Sequence, residues 1–207
     1  MATYPLTIPS SPTWRTATLK MVFRDGLTRS PFSDVQQAFL WEGGLWQADI
    51  TLPPMTDVTA GEWMAFFALL RGRSQTFLMG DPARQTPQGE AGGTPLVAGA
   101  SQTGYTLDID GASLTQTDWL KAGDYIQLGS TSTTHLHMIT EDADTNGSGE
   151  VTLSIWPQLR ESPANNATVT VSGTVGIWRM AQSVAEFDIN DAKHYGISFS
   201  AMEAVTA

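Results

Sequence analysis

The run from Gln37 to Asp81 constrains the fold more than any other part of this sequence, because strand, turn, helix and strand signals follow one another without interruption. Apolar and polar residues alternate there with a period of two, a pattern typical of half-buried antiparallel strands. We expect the turn between the strands at Glu42-Gly43-Gly44, since glycine supplies positive φ without steric cost. Pro53-Pro54 ends the second strand, because proline cannot donate to the ladder. The face predicted to be buried carries Phe39, Trp41, Trp46, Ala48, Ile50 and Leu52.

A helix is predicted after the proline pair. Thr59 and Glu62 have the spacing of a capping box at its start. Arg71 favours the negative end of the helix dipole, and Gly72 stands where a left-handed C-cap is expected. Apolar residues recur at i, i+3, i+4 and i+7, and burying each is worth roughly 1.5–3 kcal/mol, so the helix must lie on the hairpin's apolar face. The predicted structural core contains Trp41, Trp46, Trp63, Phe66, Phe67 and Leu70.

The composition favours an all-β fold, mainly β with one α-helix. The 207 residues include 19 glycines and 11 prolines, and only 15% are charged, which is typical of a chain with many turns. After the helix and a strand at Ser74–Met79, the segment 83–94 has no period and predicts a linker or long loop. Short strands then follow at regular spacing and predict a small barrel or sandwich. The clearest candidates are Tyr125–Leu128, Leu136–Thr140, Val151–Trp156 and Thr168–Val171.

The two ends of the chain are predicted to belong to one domain. The closing strands around Phe187 and Tyr195–Ala201 are amphipathic and need a sheet to complete. We therefore expect residues 1–82 and 181–207 to form a discontinuous domain, with 83–180 inserted as a small β-barrel or sandwich. An early strand is expected at Ala17–Phe23, and Leu27–Gln36 is interpreted as an irregular loop. The proline-bearing segment 1–13 is either a frayed terminus or an arm that lies along a neighbouring subunit.

Charge and residue usage exclude several classes of function. The formal net charge of −10 disfavours a groove that grips phosphates, so we expect no sequence-specific nucleic-acid binding. The absence of cysteine excludes disulfides and thiolate zinc sites. No stretch approaches the ~20 apolar residues of a membrane span, so no membrane insertion is expected. The first residues also lack the charged and apolar regions of a signal peptide.

The run DADTNGSGE imitates the start of a calcium-binding loop, because it alternates side-chain oxygens around a glycine. Its candidate ligands are Asp142, Asp144, Asn146 and Glu150. The EF-hand pattern fails at the last position, where Leu153 stands in place of a bidentate glutamate. A hairpin turn around Asn146-Gly147 is the favoured interpretation, so no metal site is predicted.

Catalytic motifs are missing from the sequence. His135 and His137 would point the same way on a strand, but a metal needs a third ligand and His194 is the only other histidine. No nucleophile elbow, Walker loop or dinucleotide fingerprint is present, so we expect no enzyme and no cofactor.

Three tryptophans lie in or beside the second unit: Trp119, Trp156 and Trp178. Aromatic platforms bind sugars, and a glycan-binding role is one interpretation of these residues. Packing in a core or against another subunit is the favoured one, because tryptophans in small barrels more often fill the interior.

The order of these motifs resembles a known family. A hairpin with tryptophans, LPPM, the helix EWMAFFALLRG and then TFLMGDP look like the core of a distal tail protein of siphophages, which are tailed phages. The runs LKAGDYIQLG, THLHMITEDA, LSIWPQLR and HYGISFSAMEAV resemble the longer form of that family, with an inserted small β domain. Together they cover most of the chain from about Ser30 onward.

The resemblance implies a structural virion protein. A tail-tube-like β-sandwich or barrel would form a ring, a hexamer in this family, that joins the tail tube protein to the baseplate or tail-tip hub, with DNA passing through the lumen. The protein would be made in the host bacterial cytoplasm and reside at the distal end of the tail. The alternative function is a carbohydrate-binding module at the tail tip that contacts host-cell-surface glycans. A tail-associated hydrolase is a weaker third hypothesis.

Overall fold

The all-β class predicted from the sequence is confirmed. A computed structural model describes residues 3–41 and 43–205, with 42% of the chain in strands and one α-helix. Residues 1–2 and 206–207 of the predicted discontinuous domain lie outside the described residues, as does Glu42 of the predicted turn. No helix in the described part is both long and apolar enough to cross a membrane.

Besides a short 3-10 helix at Thr131–Thr133, fifteen strands and one α-helix follow one another along the described chain. In chain order they are β1 (Leu6–Thr7), β2 (Thr16–Val22), β3 (Asp25–Arg29), β4 (Gln36–Leu40), β5 (Leu45–Thr51), α1 (Asp57–Leu70), β6 (Phe77–Met79), β7 (Gly93–Val97), β8 (Gly104–Ala112), β9 (Tyr125–Leu128), β10 (His135–Ile139), β11 (Val151–Leu159), β12 (Val169–Thr170), β13 (Gly176–Met180), β14 (Glu186–Ile189) and β15 (Tyr195–Glu203).

The first unit is a seven-stranded sheet covered by a helix. Its strand order is β1-β6-β13-β15-β5-β2, and β14 pairs with β15. Strand β5 buries every second residue, as the period of two predicts, and α1 packs on the apolar face. The ring centroids of Trp63 and Phe199 are 6.0 Å apart, and those of Phe66 and Phe77 are 5.6 Å apart. The first unit is therefore one sheet with a helix against it, where the sequence predicted a β-sandwich or barrel.

The predicted N-cap of the helix is wrong, and the C-cap lies one residue earlier than predicted. The helix begins at Asp57 after an extended Thr56, so Thr59 and Glu62 lie inside it and form no capping box at its start. Asp57 places a carboxylate in the first turn, where the helix dipole stabilises negative charge. The left-handed C-cap is Arg71, with φ 50°, one residue before Gly72, which is itself left-handed at φ 68°.

The second unit is a nearly closed six-stranded barrel with its own core. Its strand order is β12-β9-β10-β11-β8-β7, and a bridge between Leu96 and Thr168 joins the two ends of that order. The predicted strands at 125–128, 136–140, 151–156 and 168–171 correspond to β9 to β12. The predicted boundary at residue 180 is wrong, because β13 pairs with β6 and β15 in the first sheet.

The start of the chain packs on its own molecule. Strand β1 pairs in parallel with β6, the Tyr4 hydroxyl donates to Leu69 O at 2.9 Å, and Trp63 Nε1–H donates to Ser11 O at 2.9 Å. The interpretation of the N-terminal segment as a frayed end is therefore wrong for the described residues from 3 onward. An arm on a neighbouring subunit stays a prediction.

Candidate assembly surface

A two-stranded ribbon extends from the first sheet and carries nearly half of the exposed large apolar side chains of the described residues. Strands β2 and β5 pair over seven residues inside the sheet, and beyond them β3 pairs with β4 over five. Trp41 N–H donates to Arg24 O at 2.8 Å, so the ribbon continues through the junction between its two parts. We call residues 23–41 the projecting hairpin. Among the described residues, its strands form a separate two-stranded sheet.

This topology corrects two sequence predictions. The chain was expected to turn at residues 42–44 and pair β4 with β5, but β4 pairs with β3 instead. The segment interpreted as an irregular loop contains most of β3 and the true turn, Ser30–Val35, where Ser30 N–H donates to Val35 O at 2.9 Å. The signal that could have shown this turn is the Ser30-Pro31 pair followed by Ser33 and Asp34, since these residues favour tight turns.

The projecting hairpin carries many large apolar side chains that are not buried in a core. Of the fifteen large apolar side chains that are exposed in the described part of the chain, seven lie on this segment, although it spans less than a tenth of the sequence. Phe32, at the tip, is 98% exposed. A concentration of this kind marks an interaction surface, whereas single exposed apolar residues do not. The seven are Phe23, Leu27, Phe32, Val35, Phe39, Leu40 and Trp41.

Trp41 was predicted in the core, and that prediction is wrong. Its side chain is 59% exposed and lies across the hairpin over Gly26, where a Cβ would come within 2.6 Å of Trp41 Cη2. The alternation that marked Trp41 as buried is present, but the ribbon has already left the helix-covered sheet at this position. The other five predicted core residues, in contrast, lie buried in the first unit: Trp46, Trp63, Phe66, Phe67 and Leu70.

Contacts with the barrel hold the base of the hairpin. The rings of Phe23 and Trp156 are 5.4 Å apart, and those of Trp46 and Trp156 are 4.6 Å apart in an edge-on arrangement. Trp46 Nε1–H also donates to the carbonyl oxygen of Leu136, at 3.1 Å. Strands of both units therefore share one aromatic cluster at the point where the hairpin leaves the sheet.

A buried ion pair crosses the same junction. Arg160 Nη2 lies 3.1 Å from Glu203 Oε2, and the two side chains are only 17% and 6% exposed. The same guanidinium donates to Gly44 O at the hairpin's base, and Glu203 also accepts from Trp46 N–H at 3.1 Å. No sequence signal connects residues this far apart in the chain.

The three tryptophans considered for glycan binding are all buried. Trp119 Nε1–H donates to Gly92 O and Trp178 Nε1–H to Met79 O, each at 2.8 Å, while Trp156 packs in the junction cluster. Their exposed fractions are 0%, 1% and 7%. Stacking on a sugar requires an open ring face, and none of these residues offers one.

The oxygens of the calcium-like run are used to organise loops. Asp142 Oδ1 accepts from Ala122 N–H at 2.8 Å, and Asp144 Oδ1 accepts from Asp118 N–H at 2.7 Å. Asn146 Oδ1 accepts from the backbone N–H of Ser148 and of Glu150, as in a tight turn. Across residues 3–41 and 43–205, no three histidine, aspartate or glutamate side chains are grouped so as to hold a metal ion.

The two neighbouring histidines have different surroundings. His137 is buried and donates its Nδ1–H to Pro157 O at 2.7 Å. Burial lowers the pKa of His137 to about 4, and the bond to Pro157 opposes part of that change. The ring of His135 lies 6.5 Å away, while His194 lies in the turn between β14 and β15 of the first sheet.

The face of the first sheet opposite α1 is polar. Asp49 on β5 pairs with Lys20 on β2, and it accepts from the Ser200 hydroxyl on β15 at 2.6 Å. The hydrogen bonds from Lys20 and then Ser200 hold the pKa of Asp49 below its ordinary value. This surface therefore presents paired charges and hydroxyls rather than a field of one sign.

Comparison with known proteins adds no family assignment. Neither a scan against protein-family models nor a search of curated proteins found a match to this chain. The resemblance to distal tail proteins therefore depends on the sequence motifs alone.

Proposed function

We propose that this chain is a structural subunit of a siphophage tail, the distal tail ring that joins the tail tube to the baseplate or tail-tip hub. The projecting hairpin is the observation that carries the proposal. A two-stranded ribbon with two solvent-facing sides is marginally stable by itself, and exposed apolar residues on it are costly for a protein that stays alone. Burial against a neighbouring molecule would supply the apolar contacts that the hairpin lacks.

Two further features support a ring. Heterologous contacts between identical subunits close into rings when the rotation between them permits. The polar face that carries Asp49, Lys20 and Ser200 would line the lumen, and its paired charges suit a wall past which DNA slides without adhering. In this proposal the protein resides at the distal end of the virion tail after synthesis in the host bacterial cytoplasm, and it performs no catalysis.

Mass photometry and negative-stain electron microscopy of the purified chain test the proposal, first alone and then with tail tube and hub proteins. We expect a closed ring, with six subunits as the resemblance implies, that attaches to the end of a tube. A monomer that stays solitary in the presence of both partners would contradict it. A monomer that also binds a glycan array would favour the carbohydrate-binding alternative, for which the buried tryptophans offer no support.

A further inference from the structure

A second exposed apolar surface lies beside the helix. We call it the helix groove: a cavity of about 240 Å³ between α1 and the chain from β13 to β14. Most of its wall is apolar, and Val184 at its side is 62% exposed. Leu69 on α1 and Ile189 on β14 add exposed apolar surface to these same elements. The principal lining residues are Met64, Phe67, Ala68, Val184, Ala185 and Phe187.

The helix groove and the projecting hairpin lie on opposite sides of strand β15. The hairpin extends the ribbon of β2 and β5, and β5 pairs with one side of β15. Strands β13 and β14 pair with the other side of β15, and they flank the groove. Two unlike apolar surfaces at opposite sides of one sheet are the arrangement that a head-to-tail contact requires, because each copy then offers one surface to each neighbour.

Size and charge select the hairpin tip as the occupant of the groove. Pockets for drug-sized ligands measure roughly 300–1,000 Å³, so a smaller groove suits one or two side chains better. Arg71 and Arg73 flank Gly72 of the groove wall, and Arg179 contacts Arg73 O, in a chain whose net charge is −10. The hairpin tip carries Asp34 beside Phe32. In the monomer Asp34 pairs with Arg29 at 2.9 Å, but this ion pair is exposed and contributes little, so the carboxylate can exchange it for a basic rim.

We propose that the tip of the projecting hairpin of one copy, with Phe32 as its anchor, inserts into the helix groove of the next copy. This inference rests on the proposed ring and names the contact that would build it. Phe32 would pack against the apolar wall formed by α1 and β14, and Asp34 would face the arginine rim. The groove is then incomplete in a single molecule, and a neighbouring copy supplies its missing side chain.

Cross-linking between engineered cysteines tests this contact cleanly, because the chain contains no cysteine of its own. Ser33→Cys marks the tip and Ser183→Cys marks the groove; both serines are exposed, and both changes leave the apolar residues intact. The two variants are mixed and treated with a short bis-maleimide. We expect a cross-linked dimer that forms faster than with a matched control, Ser33→Cys mixed with Ser148→Cys, whose exposed serine lies on the barrel.

A second variant tests how much Phe32 contributes to the contact between copies. Phe32→Ser, introduced into the tip variant, should abolish the cross-link and weaken association about 30-fold, as expected for a central apolar anchor. Because Phe32 is 98% exposed, the melting curve of the monomer should not change. Equal cross-linking to Ser183→Cys and Ser148→Cys would overturn the inference.

The outcome for the ring is read separately. Closed rings without the specific cross-link would leave the proposed function intact and refute this contact. A specific cross-link that produces open chains instead of rings would support the contact and refute the ring.

Discussion

In the projecting hairpin and in the barrel, the chain leaves the first sheet and later returns to it. The two regions differ in whether they can be stable without contacts from elsewhere. The barrel leaves after β6 and returns at β13, and between these strands it closes six strands around a separate core that contains Trp119, Leu120 and Ile126. The hairpin leaves after β2 and returns at β5 with two strands and no core. A segment that closes a sheet around its own core can be stable as a separate unit, whereas a two-stranded ribbon exposes both of its faces.

The difference extends to the polar groups. Loops of the barrel are tied by buried or half-buried side chains; Asp124, for example, accepts from the backbone N–H of Gln88 and of Lys121. On the hairpin, Arg29 and Asp34 form an exposed ion pair at 2.9 Å, which contributes little. The barrel is thus organised for stability within the monomer, and the hairpin is organised for contact with something else.

The largest expected effect is in the barrel core. Trp119→Ala should lower the free energy of unfolding by about 3–5 kcal/mol, because it removes a fully buried side chain and its hydrogen bond to Gly92 O. Urea unfolding followed by circular dichroism measures this loss. A cost below about 1 kcal/mol would show that the barrel does not depend on its core and would break the comparison.

A smaller loss is expected at the junction that carries the hairpin. Glu203→Ala leaves Arg160 without its carboxylate and Trp46 N–H without an acceptor, at a cost of about 3 kcal/mol. Amide exchange across the projecting hairpin should accelerate in the same variant, since its base loses support. Lys20→Ala is the control: it breaks an exposed ion pair to Asp49 and should cost at most about 1 kcal/mol.

The pH dependence of the barrel supplies the third prediction. The pKa of His137 is lowered from 6.5 to about 4, so between these values the unfolded chain binds a proton that the folded chain does not. The free energy of unfolding should therefore fall as pH drops from about 6.5 to about 4, by roughly 3 kcal/mol in total. In His137→Asn this contribution disappears, and urea titrations at several pH values compare the slopes. Equal slopes in the two proteins would show that His137 is not the source.

The smallest effect on the monomer is expected on the hairpin itself. Trp41→Ala removes an exposed ring that lies over Gly26, and surface changes of this kind usually alter stability by less than about 0.5 kcal/mol. Thermal unfolding of the monomer should be unchanged within that limit, while sedimentation should show weaker self-association. A large loss of monomer stability would mean that the hairpin contributes to the core after all.

Local sequence patterns predicted the elements whose buried face is set by residues close together in the chain. The alternation in β5 placed Trp46, Ala48 and Ile50 on the buried face, and the i, i+3, i+4, i+7 stripe located the packed face of α1. Strand β9 was predicted with its observed bounds, Tyr125–Leu128. In each case the burial of one face follows from periodicity, which is a property of neighbouring residues.

The errors arise where the partner is distant. Alternation cannot say whether β4 pairs with β5 or β3, and Trp41 has the pattern of a core residue in a part of the ribbon that no helix covers. Caps shifted by one to three residues because several polar residues near each end of α1 could occupy them.

The sequence by itself determined an all-β chain with one amphipathic helix, the position of most strands and the need of the closing strands for a sheet, because hydrophobic periodicity and turn residues act over a few positions. Only the tertiary structure decided that β13 belongs to the first sheet, that Arg160 meets Glu203 beneath the hairpin, and that the hairpin itself stands uncovered. These outcomes depend on which distant segments contact each other. Neither strand pairing nor burial between remote segments produces a periodic pattern in the sequence of either segment.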